Sequence, residues 1–346
     1  MAEDLCFFNK DIIIIKPPKK SPAALLRMVV LMLSMLSSVY ICSICLKQLS
    51  SYAKPPKLVT IQLVYQPCQS AFIEPWEIPY VHFPKPSTYD RGECSCNPVR
   101  FFAILSTQRS GSGWFETLLN SHINVSSNGE IFSVKERRAN VSMIFQTMDK
   151  VYNLDWLSSA SKNECSAAVG FKWMFNQGLM EHHQEIVEYF NRRGVSLIFL
   201  LRRNLLRRMI SLLANSYDRD AKLLNGTHKS HVHSLTEAEI LAKYKPTIDI
   251  KSMISNMKQL EETTVKALEY FMSTRHIVLY YEDLINDRTK LVDVQEFLRL
   301  PRRRLYSRQV KIHKGSLSDQ IENWNEVNNT LNGTQYDRFL QQDYKM

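Results

Sequence analysis

Val99 to Trp114 reads VRFFAILSTQRSGSGW, and this stretch decides the fold. Its first half, Val99 to Ser106, is a short apolar run rich in aromatic and β-branched residues, as a buried strand requires. Thr107-Gln108-Arg109-Ser110-Gly111-Ser112-Gly113-Trp114 follows at once and leads into a helix-like stretch through Asn120. Strand, tight loop and helix in that order aim several backbone N–H groups at one point, and the helix dipole adds to their pull on an anion. Arg109 adds a fixed positive charge. The plainer reading is a βα turn whose glycines only permit the bend. A nucleotide-binding P-loop of the G-x-x-x-x-G-K-S/T kind needs a lysine after the second glycine, and none is present.

Outward from this segment the same alternation repeats. Strands are expected near residues 99–105, 168–174, 195–201 and 276–281, separated by helical stretches, which is the pattern of an α/β fold with a central parallel sheet. Val195 to Leu201 (VSLIFLL) ends in Arg202-Arg203-Asn204 before a helical stretch from Leu205. Ile277 to Glu282 (IVLYYE) runs into Asp283-Leu284, and Lys314-Gly315-Ser316 follows later. Ile248 to Met272 carries Met253, Met257, Leu260, Val265 and Leu268 on a helical repeat, which predicts a core-packing helix.

In their order and spacing these pieces resemble the sulfotransferases that use 3'-phosphoadenosine 5'-phosphosulfate (PAPS), and the wording around Gln108–Trp114 and Leu201–Ser211 resembles the nodulation-type carbohydrate branch. The resemblance implies a P-loop-type fold and a set of roles. Arg109, Ser110, Gly111, Ser112, Gly113 and Trp114 would form the phosphosulfate loop. Arg203 and Ser211, with the family's eight-residue spacing, would hold the 3'-phosphate, and Lys314-Gly315 would cover the nucleotide. Ser127 to Phe132 resembles the segment that carries the base in protein-tyrosine and trehalose sulfotransferases, so Glu130 would be the general base. Lys172, in the apolar run Ala167 to Phe175, is a second candidate cation, and Ser318 a candidate donor to the leaving oxygen. The cytosolic branch uses a histidine base, but His182, His183 and His276 lack its K-x-H setting. Sulfuryl transfer is an in-line displacement that cations and backbone donors can stabilise, so no metal is required.

The acceptor implied is a carbohydrate hydroxyl, with a tyrosine in a peptide as the alternative. A different enzyme class is suggested by Asp218-Arg219-Asp220, which matches the D-x-D string of metal-dependent glycosyltransferases. It follows a helix-like stretch instead of a strand, and its arginine would repel a metal.

Met28 to Leu46 is 19 residues without a charge, enough to span a hydrocarbon core as a helix. Lys10, Lys16, Lys19, Lys20 and Arg27 precede it and Lys47, Lys54 and Lys57 follow, a bias that places the N-terminus in the cytosol. The expected order is a tail over 1–27, a signal anchor over 28–46, a Pro-rich stem over 47–98 and a lumenal domain over 99–346, in a single-pass type II protein of the Golgi membrane. Five N-x-S/T sequons (Asn124, Asn140, Asn225, Asn328, Asn332) all lie beyond the anchor. Cys68, Cys94, Cys96 and Cys165 would face an oxidising lumen, and four cysteines leave three pairings open.

The 346 residues hold 44 Lys and Arg against 34 Asp and Glu, a net charge of +10. The surplus points to an anionic partner, and nucleic acid does not suit a lumenal domain. With 45% apolar and 23% charged residues the composition is that of a globular protein, which excludes a disordered chain or a polytopic membrane protein. Nothing in the sequence fixes an oligomeric state.

Overall fold

The computed structural model describes residues 22–52 and 73–341. They fall into two units, divided between Pro67 and Cys68. The first contains one helix, α1 (Pro22–Tyr52), of which Leu25–Lys47 is long and apolar enough to cross a membrane. Cys6 and Cys68 lie outside the described residues.

The second unit is built on five strands: β1 (Arg100–Ser106), β2 (Val125–Ser127), β3 (Ala168–Met174), β4 (Val195–Leu201) and β5 (His276–Tyr280). Their spatial order is β2-β3-β1-β4-β5 and every pairing is parallel. RFFAILS and VSLIFLL are buried along their whole length, which is why they read as unbroken apolar runs instead of alternating ones. Alternation reappears in which face each side chain serves. Phe101, Ala103, Leu105, Leu197 and Phe199 pack on one side, beneath α3 (Val141–Tyr152), α4 (His183–Arg192) and the end of α7 (Ile250–Tyr270). Phe102, Ile104, Ile198 and Leu200 pack on the other, with α2 (Ser112–Asn120), α8 (Tyr281–Asn286) and α9 (Lys290–Phe297). A third cluster joins α5 (Leu205–Ala221), the start of α7 and α10 (Trp324–Leu331). The four expected strands are present. β2 was not anticipated, because three residues, two of them serine, give no periodic signal.

The anticipated long helix is α7, and Met253 and Met257 are core residues, at 0% and 1% exposure. Val265 was expected beside them but is 53% exposed. The boundary expected at Pro98 also needs correction, since residues 73–98 belong to the compact unit. The 3-10 turn Pro75–Tyr80 buries Glu77 against Arg100 (3.0 Å), Arg299 (3.2 Å) and Arg275 (3.4 Å). His82 exchanges two backbone hydrogen bonds with Val99. The buried Arg91 donates to the carbonyls of Glu164, Asn97 and Ser166, and a disulfide joins Cys94 to Cys165. Cys96 is also disulfide-bonded. Proline richness made this segment look like a spacer, whereas its anchorage comes from single buried charges with partners far along the chain.

Candidate active site

β1 sits in the middle of the sheet, with β3 on one side and β4 on the other, so the chain turns opposite ways from neighbouring strands. Such a switch point opens a crevice at the strands' carboxyl ends. A cavity of about 570 Å³ lies there, lined by residues that follow β1, β4 and β5 and by the segment 309–313, a size that suits a nucleotide-sized ligand.

The loop after β1 is shaped by two left-handed residues, Arg109 (φ 64°) and Gly111 (φ 86°). At Gly111 the conformation demands glycine for a second reason: a Cβ would stand 2.4 Å from the ring of Tyr281. Gly111 is the N-cap of α2 and provides no side-chain cap. The first-turn amides, which no helical carbonyl can reach, therefore meet the cavity, where Gly111, Ser112, Gly113 and Trp114 form the wall. Ser110 is fully buried beneath the loop, with its hydroxyl 2.6 Å from that of Thr107.

Arg109 reaches across the switch point. Its Nε donates to Ser211 Oγ on α5 at 2.9 Å and its Nη1 to the Ser230 carbonyl at 3.0 Å, while its own carbonyl accepts from Arg202. Burial, then the neighbouring charge of Arg202, pushes the guanidinium pKa down to about 10. Arg202 and Arg207 line the cavity, and Arg207 donates to the Gly315 carbonyl at 3.2 Å.

Opposite the loop, Lys172 Nζ stands 3.5 Å from both Glu116 Oε2 and Glu130 Oε2. Glu116 is fixed by Ser127 Oγ (2.6 Å) and the Gly129 amide (2.8 Å), so the end of β2, the turn to Glu130 and α2 are held as one. Glu130 Oε1 accepts from Gln177 Nε2 at 2.5 Å. Lys172 and Glu130 line the cavity, whose wall carries six cationic side chains (Arg109, Lys172, Arg202, Arg207, Arg219, Lys311) and one carboxylate, Glu130.

Of the residues expected at the site, this cavity brings together Arg109, Gly111, Ser112, Gly113, Trp114, Glu130, Lys172 and Ser211. Ser110, Arg203, Lys314, Gly315 and Ser318 are not on its wall. Arg203 is turned to the exposed side, over the Tyr280 ring, and donates to both carboxylate oxygens of Asp283, with the Nη2 contact at 2.8 Å. Its backbone amide and that of Asn204 are taken by the buried Glu282, so the YED string pins the β4–α5 turn. Lys314 and Ser318 are exposed; Gly315 has φ 85°, and the Ser318 hydroxyl meets Ser316. Asp218 and Asp220 are two residues apart on α5 and so point to different sides. Asp218 is buried against His228 (2.7 Å) and Asp220 is exposed, which leaves only Arg219 of that string at the cavity.

The sequence reading did not single out Glu116, Gln177, His231 or His313. Glu116 is one acid on an otherwise apolar helix, a weak signal. His231 comes from a segment that carries no recognisable motif, and His313 stands just before Lys314-Gly315-Ser316 without being part of it.

No protein-family model matches the chain, and no curated protein matches it. Among solved structures the chain is similar to a sulfotransferase domain from the curacin biosynthetic pathway, at 15% identity and a TM-score of 0.32, over 64% of this chain and 81% of that one.

Proposed function

We propose that this chain transfers a sulfuryl group from PAPS to a carbohydrate hydroxyl, and that it does so in the Golgi lumen from a type II membrane anchor. The observation that carries the reading is the set of six cations and a single carboxylate gathered around the open first turn of α2. That arrangement suits a donor with phosphate on one end of its nucleoside and phosphosulfate on the other.

In this reading the amides of Gly111 to Trp114 bind the phosphosulfate end. Ser211, Arg202 and Arg207 hold the 3'-phosphate, the role the sequence assigned to Arg203 and Ser211. Arg203 acts instead through the β4–α5 turn, and Gly315 by its carbonyl on Arg207; Ser318 has no part. Glu130 accepts the proton of the attacking hydroxyl. Lys172, held between Glu116 and Glu130, supplies positive charge where the leaving oxygen gains its negative charge. When the acceptor proton reaches Glu130, the lysine loses one of its two counter-charges and becomes the more effective partner for the phosphate. The exposed sequon residues Asn225 and Asn332 suit a lumenal domain.

Calorimetric titration of the full chain in detergent with 3'-phosphoadenosine 5'-phosphate tests this. The bisphosphate is expected to bind at least about tenfold more tightly than AMP, a difference of about 1.4 kcal/mol, and Arg207→Ala is expected to remove that preference. Manganese-dependent binding of UDP without a response to the bisphosphate would overturn the proposal.

A further inference from the structure

Two histidines stand in this cavity, and neither belongs to any of the motifs above. His231 is carried by the loop between α5 and α6 (Leu235–Ala242), and His313 by the segment that follows residue 309. The two segments are joined by a bridge between Val232 and Val310, whose amide donates to the Val232 carbonyl at 2.9 Å. His231 lies directly on the first turn of α2: a Cβ at Gly113 would stand 2.3 Å from its Nε2. Gly113 thus leaves room for the imidazole over it, and it is not needed for the bend of the backbone, since it sits inside the helix.

Each ring is set among cations. His231 faces Arg109 on the β1–α2 loop, Lys172 on β3 and His233 on its own loop. His313 faces Arg109, Arg202 after β4, Arg207 on α5 and Lys311 on its own segment. The one acid of the cavity wall, Glu130, is taken up by Lys172 and Gln177. Among the described residues neither imidazole has a hydrogen-bond partner. Desolvation first, and then these positive neighbours, push both pKa values down to about 4, with His313 half-buried and His231 keeping an exposed face. In the empty cavity both rings are therefore neutral at pH 7, which spares a site with six cations two more.

A bound polyanion reverses the sign of the field at both rings. Opposite charge within a few ångströms favours the imidazolium, and the ligand's oxygens give its N–H groups acceptors. We infer that His231 and His313 are contacts to the sulfuryl donor, His231 at the phosphosulfate end and His313 at the phosphate end, and that each takes a proton from solvent as the donor binds. This inference rests on the PAPS reading of the cavity. It makes donor affinity rise as pH falls through the pKa values of the complex towards those of the free protein, by up to about tenfold per pH unit for each histidine.

The test uses the full chain with 15N-labelled histidine and 3'-phosphoadenosine 5'-phosphate as probe. Imidazole resonances, assigned with His231→Asn and His313→Asn, are followed from pH 5 to 8 with and without probe. Calorimetry at pH 6.5 in buffers of different ionisation enthalpy counts the protons taken up. The expected result is two imidazole resonances whose midpoints rise on binding, and a net proton uptake that each variant lowers. Tight binding with both rings neutral throughout would overturn the inference while leaving the donor assignment intact. Absence of binding at every pH would overturn both.

Discussion

Glu130 has both oxygens engaged, one by Gln177 and the other beside Lys172, and the base role proposed for it rests on its place at the cavity wall. On the proposed reading Glu130→Gln keeps the shape and removes the proton acceptor, so kcat is expected to fall by about 10²- to 10⁴-fold while the affinity for 3'-phosphoadenosine 5'-phosphate is kept or raised, because Lys172 loses a counter-charge; steady-state rates and calorimetry on the same preparation check the pair. At Gly111 a single methyl group meets both a left-handed backbone and the Tyr281 ring. Gly111→Ala is expected to cost at least about 1–3 kcal/mol from the backbone alone and to abolish nucleotide binding, read by denaturant melts and titration. Which residues gather at the cavity was partly legible in the chain. Arg109, Glu130, Lys172 and Ser211 line one cavity, where the loop after β1, the family resemblance and the strand position of Lys172 led them to be expected, but the doublet Arg202-Arg203 was ambiguous. At the end of a strand, successive side chains point to opposite sides, and no local signal says which arginine turns inward. His231 and His313 left no trace because their place depends on a bridge between residues 232 and 310.

At the scale of elements, long apolar strands were legible and short polar ones were not. β1 and β4 announce themselves by composition, whereas β2 exists because β3 offers it an edge, pairing Val125 with Ala168. The arm over residues 73–98 was misread for a related reason. Proline suppresses periodic signals, and what holds this arm includes a single carboxylate among three arginines, a buried arginine on three carbonyls and a covalent link. The Cys94–Cys165 bond closes a loop with a sequence separation of 71, for which loss of chain entropy in the unfolded state predicts a stabilisation of about 4 kcal/mol. Cys165→Ser is accordingly expected to lower the denaturation midpoint strongly while the secondary structure seen by circular dichroism survives. An unchanged midpoint would show that the arm is docked by Glu77 and Arg91 without help from the disulfide.

For the whole molecule, acidity is expected to act in opposite directions on the fold and on the proposed ligand. His82, half-buried and stacked 3.9 Å from Phe101, is held at about 4 by desolvation and by Arg193 and Arg100, and His231 and His313 are held at about 4 as well. All three values lie below the ordinary 6.5. Their contribution to stability is therefore complete above pH 6.5 and is lost as pH falls from there towards 4. Thermal melts of the free protein between pH 7.5 and 5 are expected to show a falling midpoint. In saturating 3'-phosphoadenosine 5'-phosphate the fall should be smaller, because two of the three rings then gain from protonation.

The place of β1 between β3 and β4 also sets a timetable for biosynthesis. The strand that carries the anion loop leaves the ribosome first of the five, yet the residues that pair with it, from Ala168 and from Val195 onward, are made later. Until Leu201 has emerged, RFFAILS has no complete pair of neighbours, although every one of its side chains is destined for burial. Non-local parallel pairing of this kind is slow, and an uncovered apolar strand invites aggregation. The nascent chain is thus expected to pass through an interval in which the loop after β1 hangs from an unpaired apolar segment, and co-expressed chaperones are expected to raise the recovery of folded protein.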